Sequence, residues 1–195
     1  MTKQTKIAIF CSGSGSNAEK IIEHFQQKND YIVQVLLANT PQALALKRAE
    51  KYGVSTYVFN RQAFYESDEV LNELKRLEVD WIILAGFLWL IPEKLINDFP
   101  SKIINIHPAL LPKFGGKGMY GINVHRAVVE KKETTSGITI HFVNAHYDDG
   151  NIIFQASCDL LQTDTAEDVA RKVLALEHEH FPKVIEQTIS STTKK

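Results

Sequence analysis

The sequence predicts an α/β fold, in which a Rossmann-like, mostly parallel sheet carries helices on both faces and an antiparallel C-terminal extension. Between residues 7 and 106, short runs that are apolar throughout alternate with segments of helical periodicity. Strands without a polar face are typical of parallel sheets that are covered on both sides. After residue 107, two apolar runs follow one another with no helix between them, which favours an antiparallel pair.

Five predicted strands lie in the first part of the chain, and each is a short run of apolar residues. They cover residues 7–10, 32–38, 54–59, 81–85 and 102–106. Between them, apolar residues recur three and four positions apart, which is the spacing of one helix face. This spacing predicts helices over residues 43–52, 63–77 and 92–99, with a proline in the first turn of the last one.

The helix that follows the first strand has the clearest signals. Its apolar face is formed by Ala18, Ile21, Ile22 and Phe25. Ser16 and Glu19 have the spacing of a capping box, in which the two residues satisfy each other's backbone amides at the helix N-terminus. We therefore expect Ser16 to cap this helix.

The second part of the chain has a different sequence pattern. A loop with glycine and proline covers residues 110–121, and a helix is predicted over 124–132. Alternating apolar and polar residues predict strands over 138–143 and 152–158. These are the two strands of the expected antiparallel extension.

A final helix is predicted from Val169, Val173 and Leu176, which form one apolar stripe. Proline within a helix removes a hydrogen bond and clashes with the preceding turn. We therefore expect Pro182 to kink this helix or to end its first segment.

The length of 195 residues suits one domain with a substantial hydrophobic core. The expected domain covers residues 1–195, with a first half over 1–100, a second half over 101–189 and a polar tail over 190–195.

Composition and charge restrict the class of protein. Hydrophobic residues make up 44% of the chain, and the net charge of −1 gives no basic surface for nucleic acid. No apolar run reaches the roughly 18 residues of a membrane span, and no signal peptide is expected. Cys11 and Cys158 lie in apolar runs and are expected to stay reduced. These features predict a cytoplasmic protein. We expect its partners to be small molecules, and we expect the protein to act as a monomer or homodimer.

A glycine-rich turn, Gly13-Ser14-Gly15-Ser16-Asn17, follows the first predicted strand. Backbone amides at a helix N-terminus bind anions, and glycine lets a phosphate approach closely. With Ala18, the turn also fits the loose dinucleotide fingerprint, which calls for an acidic residue at the end of the second strand. That strand ends in Leu37-Ala38-Asn39-Thr40, with no acid. The turn therefore favours a phosphate site, with a purely steric turn as the alternative.

A second candidate site combines an amide, an imidazole and a carboxylate. Asn105 and His107 are two residues apart at the end of the fifth strand, so their side chains share a face. Asp148 lies in the turn after the next strand, where a plain Asp-Asp-Gly turn is the alternative reading. An amide can donate to an oxyanion, and a carboxylate can orient an imidazole and stabilise its cation. Together they are the groups needed to move a carbonyl group between amines.

Other polar and aromatic residues give weaker signals. His141, His146, His178 and His180 lack the spacing of a metal-binding motif, so we expect no metal site. Trp89 follows the fourth strand and fits either the core or the wall of a pocket for a flat ring.

Several segments can be taken as one set. They are Gly13-Ser14-Gly15-Ser16-Asn17, Ala85-Gly86-Phe87, Ile104-Asn105-Ile106-His107-Pro108-Ala109-Leu110-Leu111-Pro112, Ser136-Gly137-Ile138-Thr139-Ile140-His141-Phe142-Val143, Asp148-x-Gly150 and Ile153-x-Gln155. In this order, along nearly the whole chain, the set closely resembles the phosphoribosylglycinamide formyltransferase family. The Asn-x-His-Pro segment marks the wider formyltransferase superfamily, and the Gly-Ser-Asn turn and the pair Glu177-His178 narrow it to this branch.

The resemblance implies an enzyme that transfers the formyl group of 10-formyltetrahydrofolate to the amine of glycinamide ribonucleotide in purine biosynthesis, without a metal. The implied catalytic residues are Asn105, His107 and Asp148. The implied contacts to the substrate phosphate and ribose are Gly15, Ser16, Asn17 and Glu177. The implied folate-binding residues are Arg61, Leu88, Trp89, Leu90, Ile91, Asn105, Asn144 and Tyr147. The loop over residues 144–148 would close over the pteridine.

Three features depart from the commoner family pattern, and one of them is a loop over residues 115–121 that is longer than expected. Trp89 stands where arginine is more familiar, and the acidic turn is Asp148-Asp149-Gly150 instead of Asp-Gly-Gly or Asp-Ala-Gly. The positions of Gly150 and Gln155 select Asp148 as the catalytic acid. In the implied mechanism Asn105 and a cationic His107 donate to the oxyanion, and Asp148 raises the pKa of His107.

Four alternatives stand beside this interpretation. A methionyl-tRNA formyltransferase would carry a further C-terminal domain and a more basic face. A formyltetrahydrofolate hydrolase shares the same three catalytic groups and usually has an extra N-terminal domain. A nicotinamide-dependent oxidoreductase lacks its acidic residue here, and a non-enzymatic nucleotide-binding module leaves the second site unexplained.

Overall fold

The computed structural model describes residues 4–193 of the chain. The chain divides into two compact units, Met1–Ile104 and Asn105–Lys195. The fifth strand begins in the first unit and ends in the second.

The first unit alternates strands and helices. Its elements are β1 (Thr5–Cys11), α1 (Ser16–Gln26), β2 (Tyr31–Ala38), α2 (Leu44–Lys51), β3 (Ser55–Val58), a π-helical turn (Gln62–Glu66), α3 (Glu69–Arg76), β4 (Trp81–Leu84), α4 (Glu93–Asp98) and the start of β5 (Ile103–His107).

The second unit is built from two strands and two helices that follow the end of β5. They are α5 (Ile122–Glu130), β6 (Thr135–Phe142), β7 (Ile152–Asp159) and α6 (Ala166–Thr193).

The strands form a seven-stranded sheet in the order β3-β2-β1-β4-β5-β6-β7. β1 pairs in parallel with β2 and with β4, and β2 pairs in parallel with β3. β6 and β7 pair as antiparallel neighbours. The predicted α/β class is therefore confirmed, with a mostly parallel sheet and antiparallel C-terminal strands.

The core of the first unit includes β1 and the buried face of α1, which packs against β2 and α2. The central β1 residues, Ile7 to Phe10, are fully buried. The predicted apolar face of α1 is buried at all four positions, which confirms the assignment from periodicity. In this arrangement, a strand that is apolar on both faces and a helix with one apolar stripe bury the most apolar surface away from water.

The predicted capping box of α1 is wrong. Gly15 occupies the cap position in a left-handed conformation, and Ser16 is already the first helical residue. Glu19 does not reach back to the helix start, because its carboxylate pairs with the guanidinium of Arg48 on α2.

The single helix predicted over residues 63–77 is also wrong. A π-helical turn ends at Glu66, Ser67 is extended, and α3 begins at Glu69. The Ser67 hydroxyl accepts a hydrogen bond from the Glu69 amide, so polar side-chain bonding replaces the helical bond at this break.

The C-terminal helix is longer than the sequence predicts. α6 runs through Pro182 to Thr193, so the proline does not end it. Phe181, Val184 and Ile185 around the proline are buried, and this packing compensates for the lost hydrogen bond. Residues 190–193 of the expected tail are helical, whereas Lys194 and Lys195 lie outside the described residues.

No helix within residues 4–193, not even α6 with its 28 residues, is long and apolar enough to cross a membrane.

Candidate active site

The end of β5 presents Asn105 and His107 on one face, as the two-residue spacing predicts. Asn105 is half-buried, whereas His107 is only 3% exposed. An imidazole held this deeply cannot rotate freely, so its two ring nitrogens have fixed partners.

Asp148 reaches His107 from the loop between β6 and β7. Its Oδ2 atom lies 3.4 Å from Nδ1 of His107 and accepts a hydrogen bond of 2.9 Å from the backbone amide of Gly116. Asp148 has a positive φ of 52°, a backbone conformation that aspartate tolerates better than most residues. The structure thus brings Asn105, His107 and Asp148 together within the second unit.

The second ring nitrogen of His107 faces the backbone of the following loop. Nε2 lies 2.8 Å from the carbonyl oxygen of Phe114, to which it donates. A carbonyl and a carboxylate can only accept hydrogen bonds. The imidazolium form of His107 therefore has an acceptor waiting at each nitrogen.

The expected rise in the pKa of His107 does not occur. Burial lowers this pKa below its ordinary value and outweighs the opposing effects of Asp148 and the Phe114 carbonyl. The free protein therefore holds His107 mainly as the neutral base at neutral pH, beside groups that stabilise its cation once it gains a proton.

The carboxyl group of Asp148 stays ionised. Burial alone would raise its pKa, but the nearby His141 imidazole, the charge of His107 and the Gly116 amide together lower it. A half-buried carboxylate with several donors around it can orient an imidazole and accept a hydrogen bond from it.

His141 is a site residue that sequence reasoning missed. Its side chain is 2% exposed on β6, with Nε2 3.1 Å from the Asn105 amide nitrogen and 3.7 Å from Oδ1 of Asp148. Its place on the same sheet face as Thr139 was visible in the sequence, but its neighbours across the sheet were not.

The loop that carries Asp148 depends on Gly150. A Cβ atom at this position would lie 1.7 Å from the carbonyl oxygen of Phe142, so only glycine fits there. This close approach fixes the return of the chain toward β7 and with it the backbone of Asp148.

The glycine-rich turn lies in the first unit, between β1 and α1. Gly15 has a φ of 73°, and a Cβ atom on it would lie 2.5 Å from Cβ of Ala45. Ser16 and Asn17 follow in the first helical turn, where backbone amides lack helical partners. Arg48 braces the turn, because its Nε donates to the Ser14 carbonyl at 2.9 Å.

Trp89 is half-buried in an aromatic cluster of the first unit. Its ring contacts those of Phe59, Phe64, Tyr65 and Phe87. The guanidinium of Arg61 lies over the Trp89 ring, 4.8 Å from its centre, at cation–π distance. Trp89 thus belongs to the rim of the core and also presents one face to a cation.

The other predicted folate residues occupy varied environments. Leu88 is 46% exposed and Ile91 is buried, while the Leu90 carbonyl accepts from the Tyr65 hydroxyl. In the second unit, the Asn144 side chain braces its own loop by donating to Asp149 and accepting from the His146 amide. Tyr147 is exposed at the tip of this loop.

Glu177 lies on α6 and is 8% exposed, which is rare for a carboxylate and indicates a position fixed by its surroundings. Cys11 and Cys158 are both free thiols. Within residues 4–193, no group of three or more His, Cys, Asp or Glu side chains converges to hold a metal ion.

Comparison with known proteins places this arrangement in a family. Residues 5–185 match the sequence model of the family described as Formyl transferase. A phosphoribosylglycinamide formyltransferase of Bacillus subtilis (strain 168) is 36% identical over 191 residues, covering 94% of each chain. The chloroplastic phosphoribosylglycinamide formyltransferase of Arabidopsis thaliana is 41% identical over 94% of this chain, which spans 65% of that protein's length.

Solved structures agree with these relatives. The crystal structure of phosphoribosylglycinamide formyltransferase from Anaplasma phagocytophilum matches with a TM-score of 0.85 and 34% identity, covering 94% of this chain and 86% of the other. The fold and the family match thus place the chain in the class of formyl transferases. Within that class, the chain belongs to the phosphoribosylglycinamide formyltransferase family, as its motifs suggest.

Proposed function

We propose that the protein transfers the formyl group of 10-formyltetrahydrofolate to the amine of glycinamide ribonucleotide in de novo purine biosynthesis. The observation that carries this proposal is the contact between His107 and Asp148, 3.4 Å apart, with Asn105 on the same strand face. Family membership supplies the reaction type, and this network supplies the groups that the reaction needs.

The proposed reaction is a direct attack. The amine nitrogen bonds to the formyl carbon, whose carbonyl oxygen becomes an oxyanion. When the oxyanion collapses, the bond between this carbon and N10 of the folate breaks, the amine loses one proton and N10 gains one. No metal and no covalent enzyme intermediate take part in this sequence.

Asn105 and His107 stabilise the oxyanion in this proposal. The Asn105 amide carries two hydrogens, and one remains available beyond the contact with His141. The Phe114 carbonyl occupies the acceptor place at Nε2 of His107 in the free protein. The oxyanion replaces this carbonyl as acceptor during the reaction, and the nearby Asp148 carboxylate favours the cation that then forms.

Asp148 moves the proton. It is ionised, it contacts the imidazole, and a water molecule between it and the amine would carry the proton toward N10. General acid–base steps of this kind contribute about 10²–10⁴ in rate.

In this proposal, the residues that the family resemblance implies bind the two substrates. Gly15, Ser16 and Asn17 hold the phosphate through amides at the start of α1, and Glu177 contacts the ribose. The folate residues are the remaining set: Arg61, Leu88, Trp89, Leu90, Ile91, Asn105, Asn144 and Tyr147.

The proposal extends to organisation and location. Residues 1–195 act as a single formyltransferase domain, in which 1–100 binds phosphate and 101–189 carries catalysis. The protein works in the cytoplasm as a monomer or homodimer that binds small-molecule substrates and neither nucleic acid nor a membrane. Two free thiols support a reducing compartment.

Folate turnover with and without glycinamide ribonucleotide tests the proposal. We expect loss of the formyl group from 10-formyltetrahydrofolate only when the ribonucleotide is present, with formylated ribonucleotide as product. Equal turnover in its absence would indicate a hydrolase instead. No turnover under either condition would remove formyl transfer altogether.

A further inference from the structure

His141 is a buried imidazole to which the mechanism above assigns no task. It lies on β6 among three groups: the Asn105 amide, the Asp148 carboxylate and the carbonyl of Phe142. With an exposed fraction of 2%, it has no access to bulk water. A buried polar ring of this kind is costly unless its hydrogen bonds serve the structure or the reaction.

The Phe142 carbonyl determines which ring nitrogen carries hydrogen. Nδ1 lies 2.8 Å from this oxygen, and a carbonyl can only accept, so Nδ1 is the protonated nitrogen. In the neutral ring Nε2 then offers a lone pair. The nearest donor to that lone pair is the Asn105 amide at 3.1 Å.

This lone pair selects one of the two orientations of the Asn105 side chain. With the amide nitrogen toward His141, one N–H is bonded and the second remains as a donor. With the amide flipped, the Asn105 oxygen would face the lone pair of Nε2, and two acceptors would repel each other. A protonated Nε2 would reverse this preference and would bond instead to Oδ1 of Asp148, now 3.7 Å away.

We propose that His141 is a positioning residue, which holds the Asn105 amide in the orientation that donates to the formyl oxygen through a neutral, accepting Nε2. The inference rests on the proposed function, because it concerns the oxyanion donor of that reaction. His141 itself does not touch the reacting atoms in this assignment.

Two substitutions separate the ring nitrogens. His141→Gln places an oxygen near the position of Nε2, so it can keep an acceptor for Asn105 but loses the ring nitrogen that bonds to Phe142. His141→Asn places its amide near Nδ1, so it can keep the bond to Phe142 and loses the acceptor. Both remain polar and smaller than or equal in length to histidine, which makes them a matched pair.

We expect His141→Asn to lower kcat by about 10–100-fold, because a misplaced donor costs up to about 10²-fold in rate. KM for both substrates should stay within about threefold of the wild-type values, since the contacts that bind ground state and transition state equally are unchanged. His141→Gln should keep kcat within about fivefold of the wild-type value, because its oxygen can still accept from the Asn105 amide.

A double substitution tests whether His141 acts through Asn105. In an Asn105→Ala background, His141→Asn should lower kcat no further, because the group that it positions is absent. Independent losses that multiply would overturn the inference, and so would equal kcat values for the Asn and Gln variants. Melting temperatures of all variants identify any that fail to fold.

Nitrogen NMR of the wild-type protein gives a readout that does not depend on the reaction. We expect His141 to show a protonated Nδ1 and an unprotonated Nε2 at neutral pH. The opposite tautomer would overturn the inference while leaving formyl transfer intact. An inactive wild-type enzyme with the expected tautomer would instead refute the proposed function.

Discussion

At the scale of single residues, the candidate site depends on a base that is kept neutral beside groups that favour its cation. Burial lowers the pKa of His107, while Asp148 and the Phe114 carbonyl oppose the effect. The balance leaves His107 free to accept a proton and gives the resulting cation two acceptors. A surface histidine next to a carboxylate would already be charged and would have less to gain in the transition state.

Asp148→Asn tests the carboxylate. The amide oxygen can still accept from Gly116, so the loop should persist while the negative charge beside His107 is lost. We expect kcat to fall by about 10²–10⁴ with little change in KM. Steady-state kinetics measure both values.

Asp149→Asn is the matched control for this substitution. Asp149 is exposed, and its carboxylate accepts a hydrogen bond from the Asn144 side chain. Its kcat should stay within about threefold of wild type, since exposed charges contribute little. A larger loss of kcat in Asp149→Asn than in Asp148→Asn would show that Asp148 is not the catalytic acid.

His125 on α5 gives the protein a dependence of stability on pH. Burial, then the charge of nearby His107, lowers its pKa below the ordinary value of 6.5, and its Nδ1 has no hydrogen-bond partner among the described residues. As the pH falls below this ordinary value, the unfolded chain takes up a proton before the folded protein does. The free energy of unfolding therefore decreases on acidification.

His125→Leu should reduce this dependence. Urea unfolding at about pH 8 and about pH 5 should show a smaller loss of stability in the variant than in the wild type, because one of the titrating imidazoles is gone. A wild-type protein whose stability rises on acidification between these values would contradict the pKa shift.

The sequence identified the residues of the site better than their electrostatics. Asn105 and His107 were visible because two-residue spacing places side chains on one strand face. His141 was not recognised, since its contacts to Asn105 and Asp148 join separate strands and loops. The prediction that the pKa of His107 is raised is wrong for a similar reason, because burial depends on packing and cannot be read from a local motif.

At the scale of elements, the start of α1 shows how one glycine shapes the glycine-rich turn. Gly15 adopts a left-handed φ of 73° and lies against Ala45 of α2. That contact brings α2 close to the turn, where Arg48 donates to Ser14. The first amides of α1 are therefore held in place from two directions.

Gly15→Ala and Gly13→Ala form a matched pair in this turn. An added Cβ at residue 15 meets Ala45, whereas a Cβ at residue 13 meets nothing within 4 Å. We expect Gly15→Ala to destabilise the fold by roughly 1–3 kcal/mol through overpacking, and to raise KM for the ribonucleotide. Gly13→Ala should change the melting temperature little, and equal destabilisation by both would count against the steric argument.

Element assignments from periodicity succeeded where one helix face meets one sheet, as in α1. They failed where a distant partner decides the local structure. Glu19 fits a capping box by spacing, yet Arg48 on the next helix takes its carboxylate. Pro182 fits a helix end, yet the buried residues around it keep α6 continuous.

At the scale of the whole molecule, the reactivity of the two thiols depends on whether the protein is folded. Burial raises the pKa of Cys11 to about 12, and its sulfur donates to the Ala85 carbonyl at 2.8 Å. Cys158 is partly buried, and burial raises its pKa as well. Since the thiolate is the reactive form, Cys11 should be inert in the folded protein.

A chromogenic disulfide reagent at neutral pH should therefore titrate at most one thiol of the native protein, slowly, and both thiols after denaturation in urea. The Cys158→Ser variant should show no reaction until it unfolds. Rapid modification of Cys11 in that native variant would mean that β1 opens far more readily than its burial implies.

The contact between Arg61 and Trp89 makes the intrinsic fluorescence of Trp89 sensitive to its surroundings. Of the two tryptophans in the chain, Trp81 is sealed in the core, whereas Trp89 shares its ring face with a guanidinium. A flat heterocycle that competed with this cation would change the light emitted by Trp89 and leave that of Trp81 constant. If the proposed folate site is correct, intrinsic fluorescence will follow the binding of a pterin without any attached dye.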